Sequence, residues 1–162
     1  MQLKTITKLL NLPNFQVNSL IKQKKNRITL RVGLIDQTEP VCSACGVVLG
    51  TSVHSKGWIL VEDLPICGML VFLYMPKRKS RCPKDGKIRV EQFNWLRGRF
   101  TARFAEQVFR LTSITTNAEA GLCLNLHDET FYRIYRIMLE ELALKKLSPV
   151  PTPSTMSVDE VA

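Results

Sequence analysis

The chain has no apolar run long enough to cross a bilayer: the longest, around Gly68 to Met75, stops well short of the ~20 residues a spanning helix needs. Nor does the N-terminus carry the apolar core of a secretion signal. Both absences place the expected site of action in the cytoplasm, with no membrane partner. The cysteines do not make an even set: Cys42, Cys45, Cys67, Cys82 and Cys123 are five. That number suits metal ligation plus two packing thiols better than a disulfide framework, and Cys67 and Cys123 are the expected packing residues. Acidic residues are scarce, 14 against 23 lysines and arginines, which leaves a net charge of +9 and a pI near 9.6. Such a balance favours an anionic partner, nucleic acid first among them, and says nothing about fold. With 45% hydrophobic residues in a length of 162, the chain is expected to fold as one ordinary domain or two small ones.

What is present starts with a pair of short knuckles, Cys42-Ser43-Ala44-Cys45-Gly46 and Cys82-Pro83-Lys84-Asp85-Gly86. A tight turn followed by glycine presents two side chains from one loop to a single tetrahedral cation, for which zinc is the natural guest. In the second knuckle Asp85 stands where another cysteine would, so the expected ligands are Cys42, Cys45, Cys82 and Asp85. One hard oxygen among soft thiolates lowers the affinity for zinc. Two alternatives stay open. A Cys-x-x-Cys in a reducing compartment is also compatible with redox chemistry or with a turn holding buried thiols. His54 is either a replacement fourth ligand or an exposed loop residue. The 36 residues between Cys45 and Cys82 (46 to 81) exceed the usual ribbon spacing, which calls for an inserted hairpin.

Along the chain, Leu3, Ile6, Leu9 and Leu10 recur at helical spacing until Asn11-Leu12-Pro13-Asn14 stops them. From Phe15 to Ile35 the period changes to two, with Lys25-Asn26 as the turn of a β-hairpin. Trp58 to Val61 and Met69 to Met75 read as strands joined by a turn over residues 63–68. The second should be the inner strand of a small sheet, leaving Lys77, Arg78, Lys79 and Arg81 exposed. A last short strand through Ile88 and Val90 ends near Trp95. Composition then shifts. Phe100, Phe104, Val108 and Leu111 fall on one face of a helix over residues 97–112, with Arg99, Arg103 and Arg110 off it. Thr116-Asn117 caps a second helix through Leu122, and Asn125 or Asp128 caps a third that continues to about Lys146. Pro149, Pro151 and Pro153 mark a linker, followed by Val158-Asp159-Glu160 in the manner of a strand beginning.

The expected fold is therefore α+β: an N-terminal helix, β-hairpin and zinc-ribbon-like β domain over residues 1–95, a three-helix helix-turn-helix domain over 96–147, and a tail over 148–162. The third helix buries Phe131, Ile134, Ile137, Met138 and Leu142, leaving His127, Thr130, Tyr132, Arg133 and Arg136 near its start on other faces. A recognition helix reads base edges from such N-terminal turns. A plain three-helix bundle with solvated arginines has the same pattern. On the DNA-binding reading, Lys77, Arg78, Arg81 and Arg99 neutralise phosphates of double-stranded DNA, while His127, Thr130, Arg133 and Arg136 supply sequence preference.

Taken in order, these pieces resemble the N-terminal part of bacterial insertion-sequence transposases of the ISL-three type. The likeness rests on the leucine-rich first helix with Leu12-Pro13, Cys42-Ser43-Ala44-Cys45-Gly46, Glu62-Asp63-Leu64-Pro65 followed by Gly68, Arg81-Cys82-Pro83, Arg89-Val90-Glu91 before Trp95, and Phe131-Tyr132-Arg133-Ile134. It implies a zinc-binding domain and a helix-turn-helix ahead of an RNase-H-like catalytic domain, recognition of terminal inverted repeats, a nucleoid-associated location, and full-length transposase as a possible partner. Two departures stand out. Asp85 replaces a cysteine, and the chain ends three residues after Asp159, where the resemblance would have the catalytic domain begin. Two-metal phosphoryl chemistry needs acids from distant strands, so no nuclease or transposase activity is expected of this chain alone. Rival expectations are a protein-interaction module and the remnant of a truncated transposase gene.

Overall fold

The computed structural model describes residues 2–36, 39–50, 53–124 and 126–146. Helix α1 (Leu3–Leu10) forms where the leucine spacing predicts it and ends as Asn11 turns left-handed (φ 42°, ψ 46°), donating its N–H to the Thr7 carbonyl. Buried Ile6 and Leu10 face the sheet, and the Thr7 hydroxyl accepts the Val17 N–H at 2.9 Å, which pins the helix to the next strand. That strand, β1 (Phe15–Lys24), pairs antiparallel with β2 (Arg27–Leu34) across Lys25-Asn26, as expected.

Among the described residues six further strands follow β1 and β2: β3 (Val41–Cys42), β4 (Val53–Ile66), β5 (Met69–Arg81), β6 (Ile88–Gln92), β7 (Leu96–Arg97) and β8 (Phe100–Thr101). The spatial order is β1-β2-β5-β4-β8-β7, with β6 on the far end of β5 and β3 on β6. β5, apolar from Met69 to Met75 and basic from Lys77 to Arg81, lies between β2, parallel to it, and β4, antiparallel to it. Its Val71, Leu73 and Met75 are fully buried, with Leu30, Val32 and Val61 on the same face under α1. Phe15 closes that core edge-on to Phe93 and Trp95, at 5.3 and 5.2 Å between centroids.

The β4–β5 hairpin is longer than the sequence suggested. Asp63 to Ile66 belong to β4 rather than to a turn, with Pro65 inside a bulge of the ladder, a place where a missing N–H costs little. Cys67 and Gly68 alone make the turn, both at positive φ (51° and 74°), as tight two-residue hairpins require. Cys67 is consequently exposed and not a packing residue, and Cys123, at the last turn of a helix, is exposed too.

Helix α2 (Ala102–Leu111) starts later than periodicity implied, because Gly98 (φ 64°) folds residues 96–101 into the β7–β8 hairpin and Thr101 caps the helix by accepting the Phe104 N–H. Helix α3 (Asn117–Cys123) opens on a full capping box between Thr116 and Glu119, and α4 runs over Asp128–Lys146. These three helices pack around Phe100, Phe104, Val108, Ala120, Phe131 and Ile134. The alternative cap Asn125 and the expected tail over 148–162 lie outside the described residues.

Ion pairs weld the helices to the sheet at Asp63, expected in a turn, and at Arg103, expected off the apolar face of its helix. Asp63, 1% exposed, accepts from the Thr101 hydroxyl (2.7 Å) and from Arg103 Nε (2.8 Å) and its terminal nitrogen, while Arg103 also donates to the Leu10 carbonyl at 2.6 Å. One guanidinium thus joins α1, β4 and α2. On the other side Arg97 of β7 meets Glu141 of α4 in a two-pronged pair at 2.5 and 2.8 Å.

Candidate metal centre

The two knuckles are built alike, hydrogen bond for hydrogen bond. In the first, Cys42 N–H donates to the Val47 carbonyl at 2.8 Å and Gly46 N–H to the Cys42 carbonyl at 3.0 Å. In the second, Cys82 N–H donates to Lys87 at 2.8 Å and Gly86 N–H to Cys82 at 2.9 Å. Gly46 and Gly86 sit at φ 72° and 68°, a left-handed turn that suits glycine. The β3–β6 pairing (Cys42 opposite Glu91) and the β5–β6 pairing (Arg81 opposite Ile88) bring the loops face to face across sequence, with Leu49 buried between Cys42 and Cys82.

Three sulfurs converge there. The thiols of Cys42, Cys45 and Cys82 all lie within 4.8 Å of one another, and Cys45 Sγ is 3.5 Å from Cys82 Sγ. A zinc ion bound tetrahedrally at 2.3 Å sets its sulfurs ~3.8 Å apart, so the spacing fits that guest. Backbone donors are already aimed at the sulfurs: Ala44 N–H reaches Cys42 Sγ at 3.4 Å. That bond is the main reason the Cys42 thiol ionises below its ordinary value, whereas burial pushes the Cys82 thiol up.

Asp85 occupies the place in its knuckle that Cys45 holds in the first, yet its carboxylate is engaged elsewhere. Oδ1 accepts the Lys87 N–H at 3.0 Å, and Oδ2 accepts Arg89 Nε and NH2 at 3.2 and 2.6 Å. The Arg89 guanidinium, with the Lys87 amide, holds the Asp85 carboxyl down to about 2. His54 stands exposed on β4, outside the thiol cluster.

The basic residues expected to face DNA are placed unequally. Lys77 is half-buried and Arg81 exposed, with the Arg81 guanidinium donating to the Gly86 carbonyl at 2.7 Å on the second knuckle. Arg78, expected to be exposed, turns inward: its Nε and NH2 each lie 2.8 Å from Oε2 of Glu91, which is 1% exposed at the side chain, and its own backbone N–H donates to Oε1 at 2.6 Å. Burying Glu91 requires such a partner, and Arg78 is the cation within reach. Arg99 is exposed at the β7–β8 turn, where its carbonyl accepts the Glu62 N–H. Near the start of α4, His127, Tyr132 and Arg136 are exposed and Thr130 is half-buried. Arg133 is exposed as well, with its guanidinium 5.3 Å over the Phe100 ring. Arg136 has only a loose pair with Glu140, 3.7 Å away, at 76% exposure.

The sequence reading missed Asp63, Arg103, Glu91 and Glu141 as partners of charges. A signal was there for Glu91, because it alternates with Arg89 on a predicted strand end. None distinguished Arg103 from its neighbours on α2.

Two loops of one design presenting thiols to a common point make a cluster that fits zinc binding. Residues 38–85, which run from before the first knuckle through the hairpin to Asp85 of the second, match the family of the zinc-finger of transposase IS204/IS1001/IS1096/IS1165. No curated protein and no solved structure matches the chain. The matched segment is similar to a transposase zinc ribbon and sits within a mixed α+β chain, and among the described residues no helix is long and apolar enough to cross a membrane.

Proposed function

We propose that the chain is the DNA-gripping portion of an insertion-sequence transposase, binding the element's terminal inverted repeats as double-stranded DNA without cutting them. The observation that carries this reading is the convergence of the Cys42, Cys45 and Cys82 thiols inside a segment that matches the transposase zinc finger. A zinc ion held by these three sulfurs would act structurally, cross-linking β3 to the end of β5 and fixing the basic ribbon around Arg81. The Asp85 carboxylate is already held by Arg89 and the Lys87 amide, and an oxygen in place of a fourth sulfur leaves the centre weaker than a four-thiolate one.

In this proposal α2, α3 and α4 form the helix-turn-helix. Lys77, Arg81 and Arg99 meet phosphates, and Arg78 holds the ribbon in place through Glu91. His127, Thr130, Tyr132, Arg133 and Arg136 face base edges, with Arg133 leaving the Phe100 ring to do so. Phosphate contacts set affinity and its salt dependence, whereas base-edge contacts set preference. The test is selection of bound duplexes from a random pool by the zinc-loaded protein. One enriched motif is expected, and Arg133→Ala should relax the preference at one position, by ~1–3 kcal/mol, while leaving non-specific binding in place. No enrichment, or equal loss on selected and random duplexes, overturns the assignment. A full-length transposase is the alternative partner, and its capture by a protein that ignores DNA would favour that reading.

A further inference from the structure

Opposite the apolar core, the central strands present a second side, which α4 approaches only at the Glu62 end, through Arg133. Alternation sends Arg27, Thr29 and Arg31 of β2, Phe72 and Tyr74 of β5, and Trp58, Leu60 and Glu62 of β4 to that side, because Leu30, Val32, Val71, Leu73 and Val61 point into the core. The ladders align them: Arg31 beside Tyr74, Thr29 beside Phe72, Tyr74 opposite Leu60, Phe72 opposite Glu62.

Two features of this strip are unusual for plain solvent-facing sheet. Trp58 lies flat on Tyr74, with centroids 4.8 Å apart and planes at 10°, and yet is 48% exposed. Arg31 stands 5.3 Å from the Trp58 ring and 6.0 Å from the Tyr74 ring. Near-equal distances to two stacked rings put the guanidinium beside the stack rather than on its outer face, so it leaves the outer face of the indole uncovered. Next along, the Arg27 guanidinium covers Phe72 at 3.6 Å, and Lys22 and Lys24 join Arg27 and Thr29 around a cleft of about 190 Å³. Glu62 is the one acid among the strand residues just named, and it feels the positive charges of Arg27 and Arg133.

We infer that this outward sheet face, the Trp58–Tyr74 stack flanked by Arg31, Arg27, Lys22 and Lys24, is a binding platform for single-stranded nucleic acid. The chemistry is complementary at both levels. Phosphates meet a line of cations against a single acid, and an exposed indole already ordered by a neighbouring ring offers its free face to a base. A duplex keeps its base faces covered, so stacking on Trp58 selects unpaired bases. The platform uses none of the residues assigned to duplex recognition, so it can stand or fall separately.

The experiment is titration of the intact zinc-loaded protein with a labelled oligothymidine and, separately, with a blunt-ended duplex that has no unpaired bases. Oligothymidine is expected to quench Trp58 fluorescence. Trp58→Leu and Arg31→Gln should each weaken its binding, Trp58→Leu by roughly 5–150-fold, the range of one stacked base, while duplex affinity stays within about twofold. Lys22→Gln with Lys24→Gln should flatten the dependence of log K on log salt for the oligomer by about 1.4, and this pair together with Arg31→Gln decides the matter if Trp58→Leu does not fold. Unchanged oligothymidine binding in these variants overturns the inference, as does equal loss on duplex and single strand. Self-association that Trp58→Leu abolishes, without any effect of oligothymidine, also overturns it and assigns the face to a second copy of the chain.

Discussion

Arg103→Ala should be among the most damaging single changes to the fold, although the residue is 35% exposed at its side chain and reads as a solvated helix arginine. The reason is what it leaves behind. Asp63 is fully buried at the side chain, and without the guanidinium it retains only the Thr101 hydroxyl. Stranding a buried charge costs ~3–5 kcal/mol, a large part of the ~5–15 kcal/mol by which a domain is usually stable. The same change frees the Leu10 carbonyl at the end of α1, so the helix loses its tie to α2 as well. At ~2–4 °C per kcal/mol for a chain of this size, the midpoint should fall by roughly 6–20 °C. The assay is thermal and urea unfolding in zinc-saturated buffer, followed by circular dichroism. A companion variant sharpens it. Asp63→Leu with Arg103→Met removes both charges, and apolar groups of similar volume in place of a buried pair are often neutral, so the double change should recover most of the loss. The reasoning is refuted if Arg103→Ala lies within ~0.5 kcal/mol of the parent, the ordinary range for a surface substitution, or if the double variant is no better than the single one.

Asp85→Cys places a thiol where the first knuckle has Cys45, and should tighten zinc binding by no less than the ~10–100-fold that outer-shell partners command, read by competition with a chromogenic chelator. Unchanged or weaker binding would mean the knuckles are not equivalent in practice. Glu62→Gln should stabilise the protein at pH 7, because burial raises the Glu62 pKa. With the folded value above the unfolded one, ionisation favours the unfolded chain as pH rises between the two, and the advantage of glutamine should vanish below about pH 4, where both states are protonated. Parallel stability curves for the two proteins across that range would contradict the burial argument.

Local signals carried the sequence reading where they were strong. Asn11 after a leucine helix, Lys25-Asn26 between alternating runs and Thr116 three residues before Glu119 each mark a boundary that the structure keeps. The apolar run through Leu73 could only be an inner strand, and it is one. The failures share a cause: they depend on residues distant in the chain. Asp63 looks like a turn residue until Arg103, forty positions away, supplies its charge partner. Residues 97–101 look helical until β8 pairs with β4 at Glu62. Arg78 looks solvated until Glu91 is buried against it. At the candidate centre the sequence placed three thiols together, while the hold of Arg89 on Asp85 followed only from the loop geometry.

The central claim is that two matched knuckles close on one zinc ion and so make the ribbon that grips DNA. Its most direct measurement is the metal content of the protein purified without added zinc. About one equivalent of zinc per chain, whose removal by chelator loosens the region around Cys42, Cys45 and Cys82, is the expected result. Less than about a tenth of an equivalent in a protein that remains fully folded would contradict it, showing that packing alone holds the knuckles together.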